Sequence, residues 1–128
     1  MKLKRVNVVL DCTNARDLAE FYIRLLGWEV NRPFQDGWMA IASPGGQIIG
    51  FQEVDGYEPP VWPWRPGAQA QMLHLDYVVE DLQEGVDHAL RCGARRADKQ
   101  YYKFSVTLID PAGHPFCIDT EVVEHSSE

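Results

Sequence analysis

The chain has 128 residues, 12 Lys and Arg against 19 Asp and Glu, a net charge of −7 and a hydrophobic fraction of 45%. That length suits one domain with a real core, which argues against wholesale disorder. The acid excess argues against nucleic acid or an anionic membrane as the main partner, because both need clustered basic residues. Three cysteines (Cys12, Cys92 and Cys117) are too few, and odd in number, for a disulfide framework. The opening MKLKRVNVVLDC has its apolar stretch broken by Asn7, and no apolar run reaches 18 residues. A cytoplasmic globular protein is the expectation.

In chain order, VNVVLDC (6–12) reads as a strand rich in β-branched residues. Residues 14–27 read as a helix. Leu18, Phe21, Tyr22, Leu25 and Leu26 form its apolar stripe, Asn14 caps it with Asp17 three residues on, and Gly27 stops it. A short extended segment (28–30) follows, then MAIASPGGQIIGF, two strands joined at a Pro-Gly turn. Residues 54–72 hold four prolines and no periodicity, so they read as a connector, and so long a connector is often functional. LHLDYVV (73–79) is again a strand. Residues 81–93 are again a helix, with Asp81 as cap, Leu82, Val86, Ala89 and Leu90 as stripe and Gly93 as stop. After 94–97 comes VTLIDPAGHPFCI, a second strand pair with a Pro-Gly turn. The tail, 124–128, is expected to fray.

The two halves match. Pro44 and Gly46 recur as Pro111 and Gly113 at an offset of 67, and Gly27 recurs as Gly93 at 66. The sequence therefore predicts an α+β fold of two tandem βαβββ modules within one domain, 1–123: module one 1–53, connector 54–72, module two 73–123. Each module makes a curved four-stranded sheet with a helix on one face. Residues at the same place in the two modules then face a common cleft.

The offset maps His74 onto Asn7 and Cys117 onto Gly50. Strand side chains alternate faces, so His74 travels with Asp76, Cys117 with Asp119, Gly50 with Gln52, and Asn7 with Val9 and Asp11. Leu73, Leu75 and Tyr77 form the other, apolar face that meets the helix. Asp11 is placed either to cap the turn that follows its strand or to face the cleft. Cys12 and Cys117, flanked by apolar residues, read as small core residues, and no base for a nucleophilic thiol is identifiable by spacing. Trp28 reads as core, and Trp38 is free to point to either face. Trp62 and Trp64, in PPVWPWRPG, need cover from their own domain, a dimer partner or a ligand cleft. Tyr101, Tyr102 and Phe104 form a second aromatic cluster. Arg65, Lys99 and Lys103 lie near these loops.

FYIRLLGWEV, HLDYVVEDL and LIDPAGHPFCI resemble the vicinal-oxygen-chelate superfamily: glyoxalase I, bleomycin-resistance proteins and extradiol dioxygenases. More narrowly, VVLDC, FY-x-x-LLGWEV, HLD and DPAG-x-PFC resemble its small glyoxalase-like domain branch. The resemblance spans 5–121, with 54–72 and 98–104 matching least. It implies paired βαβββ modules and a homodimer. It also implies four metal-ligand positions, which fall on Asn7, Gly50, His74 and Cys117; of these only His74 is a usual ligand type. Two functions follow. The first is a protein that binds a small cationic or aromatic molecule without an intact standard metal site, through Asn7, Gln52, Trp62, Trp64, Asp76, Tyr101, Cys117 and Asp119, with His74 as acid or base. The alternative is a lyase, isomerase or dioxygenase using a divalent metal (Zn, Ni, Mn or Fe) held by His74, with Gln52, Asp76 or Asp119 supplying oxygens.

Overall fold

The computed structural model describes residues 1–121. The expected tail and the last two residues assigned to module two lie outside that range. The chain divides into two compact units, Met1–Pro59 and a second that begins at Pro60. No helix among the described residues is long and apolar enough to cross a membrane.

The first unit runs β1 (Val8–Cys12), α1 (Ala15–Leu26), β2 (Glu29–Gln35), β3 (Trp38–Ala42) and β4 (Ile48–Glu53). The second runs β5 (Leu75–Val79), α2 (Leu82–Cys92), β6 (Arg95–Arg96), β7 (Ser105–Ile109) and β8 (Pro115–Thr120). Each unit is the expected βαβββ module. The sheet orders are β1-β4-β3-β2 and β5-β8-β7-β6, so in each the first strand lies parallel to the last and the other neighbours are antiparallel.

Local chemistry repeats with the topology. The Asn14 side chain accepts the Asp17 amide at 3.0 Å, and the Asp81 side chain accepts the Glu84 amide at 3.0 Å. Gly27 (φ 71°) and Gly93 (φ 118°) end the helices in the left-handed region that a side chain would strain. In the first hairpin, Gly46 donates its amide to the Ser43 carbonyl and Ser43 donates to Gln47. Gly113, Asp110 and His114 repeat both bonds in the second hairpin. The Asp110 carboxylate, buried there, also accepts the amides of Ala112 and His114 and contacts the His114 ring at 2.8 Å.

The core of each unit lies between helix and sheet. On one side Phe21 meets Tyr22 edge-on, and Tyr22 stacks on Phe51. On the other, Tyr77 meets Phe116 edge-on. Phe116 and Ile118 are buried beneath α2 together with Val86 and Ala89. Leu26 is half-buried rather than central to its stripe. The expected α2 stripe is corrected at its end: Leu90 is 40% exposed and Cys92 is buried in its place. Leu73 does not meet the helix; it is 67% exposed and precedes β5. Both first strands start two residues later than expected, at Val8 and Leu75, leaving Asn7 and His74 just ahead of them. The residue that would pair with His74 is Pro115, which has no N–H to extend the ladder.

The modules differ in their second strands. β2 is seven residues long and returns through a tight turn at Asp36 and Gly37, both with positive φ. β6 has two residues, and 97–104 takes the place of that hairpin.

Two glycines set how closely parts approach. A Cβ on Gly85, inside α2, would lie 2.9 Å from Ile118 Cγ2 and 3.1 Å from Val79 Cγ2. A Cβ on Gly50 would lie 3.0 and 3.1 Å from the Trp38 ring. Trp38 therefore faces away from the helix and lies across Gly50. Gly85→Ala gains helix propensity of about 1 kcal/mol but overpacks two β-branched side chains. Chemical denaturation should therefore show a net loss of about 1–2 kcal/mol. Gly50→Ala should displace the indole, alter the near-ultraviolet circular dichroism and cost about 1 kcal/mol, a loss that disappears when Trp38→Ala is made in the same chain.

Candidate functional site

On each sheet the face opposite the helix carries two cross-strand rows. In the first unit they are Val9–Gly50–Ala40 and Asp11–Gln52–Trp38. In the second they are Asp76–Cys117–Thr107 and Val78–Asp119–Ser105. Every position in one set is 67 residues from its counterpart in the other, so the sequence offset is also the register of the fold. The chemistry of the two faces is unlike. The first has a row without polar side chains, covered at Gly50 by Trp38. The second has a carboxylate, a thiol and a hydroxyl in the same places.

Around Cys117 the polar groups converge. A ring nitrogen of His74, a carboxylate oxygen of Asp76 and the Cys117 sulfur all lie within 4.8 Å of one another. His74 Nε2 is 2.9 Å from Asp76 Oδ1. The Thr107 hydroxyl is 3.6 Å from the Cys117 sulfur, and the Ser105 hydroxyl donates a short hydrogen bond to Asp119. Burial pushes the Cys117 thiol above its ordinary pKa; the Thr107 and Ser105 hydroxyls oppose this, and the charges of Asp76 and Asp119 add to it. The Asp119 carboxyl is also raised, chiefly by burial and then by Asp76. Its bond from Ser105 and the nearby His74 act the other way. An imidazole, two carboxylates and a thiol held this close form a set of electron-pair donors, and such a set favours a positively charged occupant.

A shallow pocket of about 330 Å3 adjoins the cluster, lined by Tyr102, Lys103, Phe104, Ser105, Asp119 and Thr120. Lys103 Nζ lies 5.8 Å from the Phe104 ring centre. A smaller pocket, about 190 Å3, is lined by Trp62 with Pro60, Arg95, Asp98 and Lys99 among others. Trp62 donates its indole N–H to the Lys99 carbonyl and meets Tyr101 edge-on. Tyr101 in turn neighbours Tyr102 at 6.4 Å between ring centres. Trp64 turns onto its own loop, donating to the Ala68 carbonyl, and stays 55% exposed.

The structure thus gathers His74, Asp76, Cys117 and Asp119 on one face. It places Trp62 and Tyr101 at the 97–104 loop and Trp64 on the connector. Of the first-unit candidates, Asn7 accepts the Arg5 guanidinium N–H at 2.8 Å, and Gln52 donates to Asp11 at 2.9 Å. Asp11 is therefore paired across β1 and β4. Cys12 is a core residue, as expected, but Cys117 is not. It is half-buried on the polar face, because the register gives the buried places to Phe116 and Ile118. Sequence reasoning missed Ser105 and Thr107. Their offset partners, Trp38 and Ala40, are not polar, so only the strand pairing marks them.

Of the four positions implied by the resemblance, Asn7 and Gly50 lie in the first unit. Gly50 has no side chain and the space for one is filled by Trp38, while the Asn7 amide oxygen is engaged by Arg5.

The sequence matches the model of the glyoxalase-like domain over residues 7–118. Among curated proteins, none matches it. Solved structures with the same fold include the genomically encoded fosfomycin resistance protein FosX of Listeria monocytogenes (12% identity, TM-score 0.69, covering 100% of this chain and 99% of that one). A glyoxalase/bleomycin resistance protein/dioxygenase family enzyme of Burkholderia phytofirmans PsJN is similar at 17% identity and TM-score 0.67, covering 91% and 97%. A glyoxylase/bleomycin resistance protein/dioxygenase domain of Frankia sp. EAN1pec is similar at 23% and 0.64, covering 94% and 100%. With two βαβββ modules in tandem and a family match over nearly its whole length, the chain belongs to the glyoxalase-like domain family of the vicinal-oxygen-chelate superfamily.

Proposed function

We propose that the chain binds a small cationic, aromatic molecule on the polar face of its second unit, without the four-residue metal set that the resemblance implies. The observation that carries this reading is the adjacency of two carboxylates, Asp76 and Asp119, to a pocket walled by Tyr102 and Phe104. Asp119 belongs to both, so a ligand's charge meets a carboxylate while its ring meets an aromatic wall. Lys103, whose Nζ lies 5.8 Å from the Phe104 ring centre, lines the same pocket, and a ligand's cation takes its place over the ring as the flexible lysine swings out to solvent. The bleomycin- and fosfomycin-resistance names of structural neighbours accord with a small-molecule site. The net charge of −7 favours cations at long range.

The protein acts in this reading as a cytoplasmic homodimer. Three cysteines, an odd number too few for a disulfide framework, accord with a reducing compartment. Light scattering on the eluting peak should return twice 14.6 kDa.

Isothermal titration with benzyltrimethylammonium and a panel of larger aromatic ammonium compounds tests the site. Binding should weaken by about tenfold in Asp119→Asn and in Tyr102→Ala, a loss of about 1.4 kcal/mol in each. No heat from any member of the panel, or affinity unchanged in both variants, overturns the reading.

A further inference from the structure

We infer that the second unit has a further pocket, at Trp62, Arg95 and Lys99, that takes the carboxylate of a small aromatic acid. This goes beyond the proposed function, because it concerns an anion and uses none of the residues of the cation site.

The pocket has an apolar floor. Strand β7 continues past Ser105 and Thr107 to Ile109, whose ladder partner on β6 is Arg95. Ile109 is only 5% exposed although it lies on the face away from α2, and Ala97 is equally buried. Trp62, with Pro60 and Pro63, brings the connector up as a wall beside them. The space enclosed is about 190 Å3. Drug-sized ligands fill roughly 300–1,000 Å3, so this one suits a single aromatic ring with a short acidic arm.

The walls are preformed. Gln100 Nε2 donates to the carbonyls of Ala97 and Thr107, each at 2.8 Å, and its Oε1 accepts the Thr107 amide at 2.9 Å. One side chain thus ties 97–100 to β7, where β6 is too short to do so. The Trp62 indole donates to the Lys99 carbonyl and so joins the wall to this loop. In the first unit β2 runs seven residues, so the pocket is not a repeat of one there. The stretches that build it, 54–72 and 98–104, resemble the superfamily least, and the pocket belongs to this chain rather than to its fold.

Charge selects the ligand. The cations of Arg95 and Lys99 both line the pocket, against one carboxylate, Asp98. Among the described residues none of the three has an ion-pair partner, and Lys99 Nζ reaches only the Tyr101 ring, at 5.9 Å. Two such cations in one small cavity, in a chain with 19 acidic residues to 12 basic, mark it for an anion. The planar fork of an arginine matches a carboxylate with two parallel hydrogen bonds, while Trp62 and Ile109 take the ring. Asp98 opposes a second negative charge, which disfavours doubly charged phosphate.

Isothermal titration of the full chain with benzoate, phenylacetate and 3-phenylpropionate tests this. At least one acid should bind with one-to-one stoichiometry, and phenylacetamide and inorganic phosphate should bind at least about tenfold more weakly. Arg95→Gln and Trp62→Ala should each weaken binding by about tenfold. Asp98→Asn should tighten it by about threefold, a gain that no loss of structure would give. Denaturation midpoints show that the variants are folded. Should Trp62→Ala fail to fold, Arg95→Gln and Asp98→Asn, both at exposed positions, decide. No heat from any acid, an amide or phosphate bound as tightly as the acids, affinity unchanged in folded Arg95→Gln, or weaker binding in Asp98→Asn overturns the inference.

Discussion

The parallel pairing of first and last strands is the constraint on which everything else in each unit depends. A parallel pair needs a crossover long enough to return the chain, and here the helix is part of it. That helix packs on the sheet, so Phe116, Ile118, Val106 and Leu108 are buried on its side. The same register places Asp76 beside Cys117 and Val78 beside Asp119, with Thr107 and Ser105 on the far side of β8. A slip of β8 by one residue would expose Phe116 and Ile118 and bury Cys117 and Asp119. The apolar core therefore fixes the polar site: the hydrophobic penalty of a slip holds three distant chain segments in the one arrangement that brings their donors together.

Much of the architecture was legible in the sequence because its signals are local. A cap three residues before its acceptor, a glycine stop and a turn residue at a hairpin each act over a few positions, and two copies at one offset made the modules visible. The site was legible in outline, since alternation put Asp76 with His74 and Asp119 with Cys117. What could not be read depends on partners far along the chain. Trp38 covers Gly50 only because β3 lies beside β4. Thr107 stands beside Cys117 only through the β7–β8 register. The apolar flanks that made Cys117 look like a core residue are themselves the core, and alternation turns Cys117 away from them. Leu90 and Cys92 traded places because they project from α2 in different directions, and only the packing of α2 decides which is buried.

The two units show how far fold and chemistry can be separated within one chain. Helix-side residues and turns repeat, and with them the topology. The opposite face belongs to the alternate positions of the same strands, so its residues change without disturbing the core. Val9, Gly50 and Ala40 on one sheet and Asp76, Cys117 and Thr107 on the other occupy equivalent backbone sites. One scaffold thus carries an aromatic-covered surface and a polar one.

The close approach at Gly85 has a consequence for the other side of the sheet. Ile118, the side chain that α2 would press upon, sits between Cys117 and Asp119 in β8. The helix is thereby a rigid backstop for the strand that mounts both groups, and its stand-off distance sets how far they project. A change in that distance, made more than a strand's thickness away and touching no ligand, would act as a fine adjustment screw on the spacing of the thiol and the carboxylates.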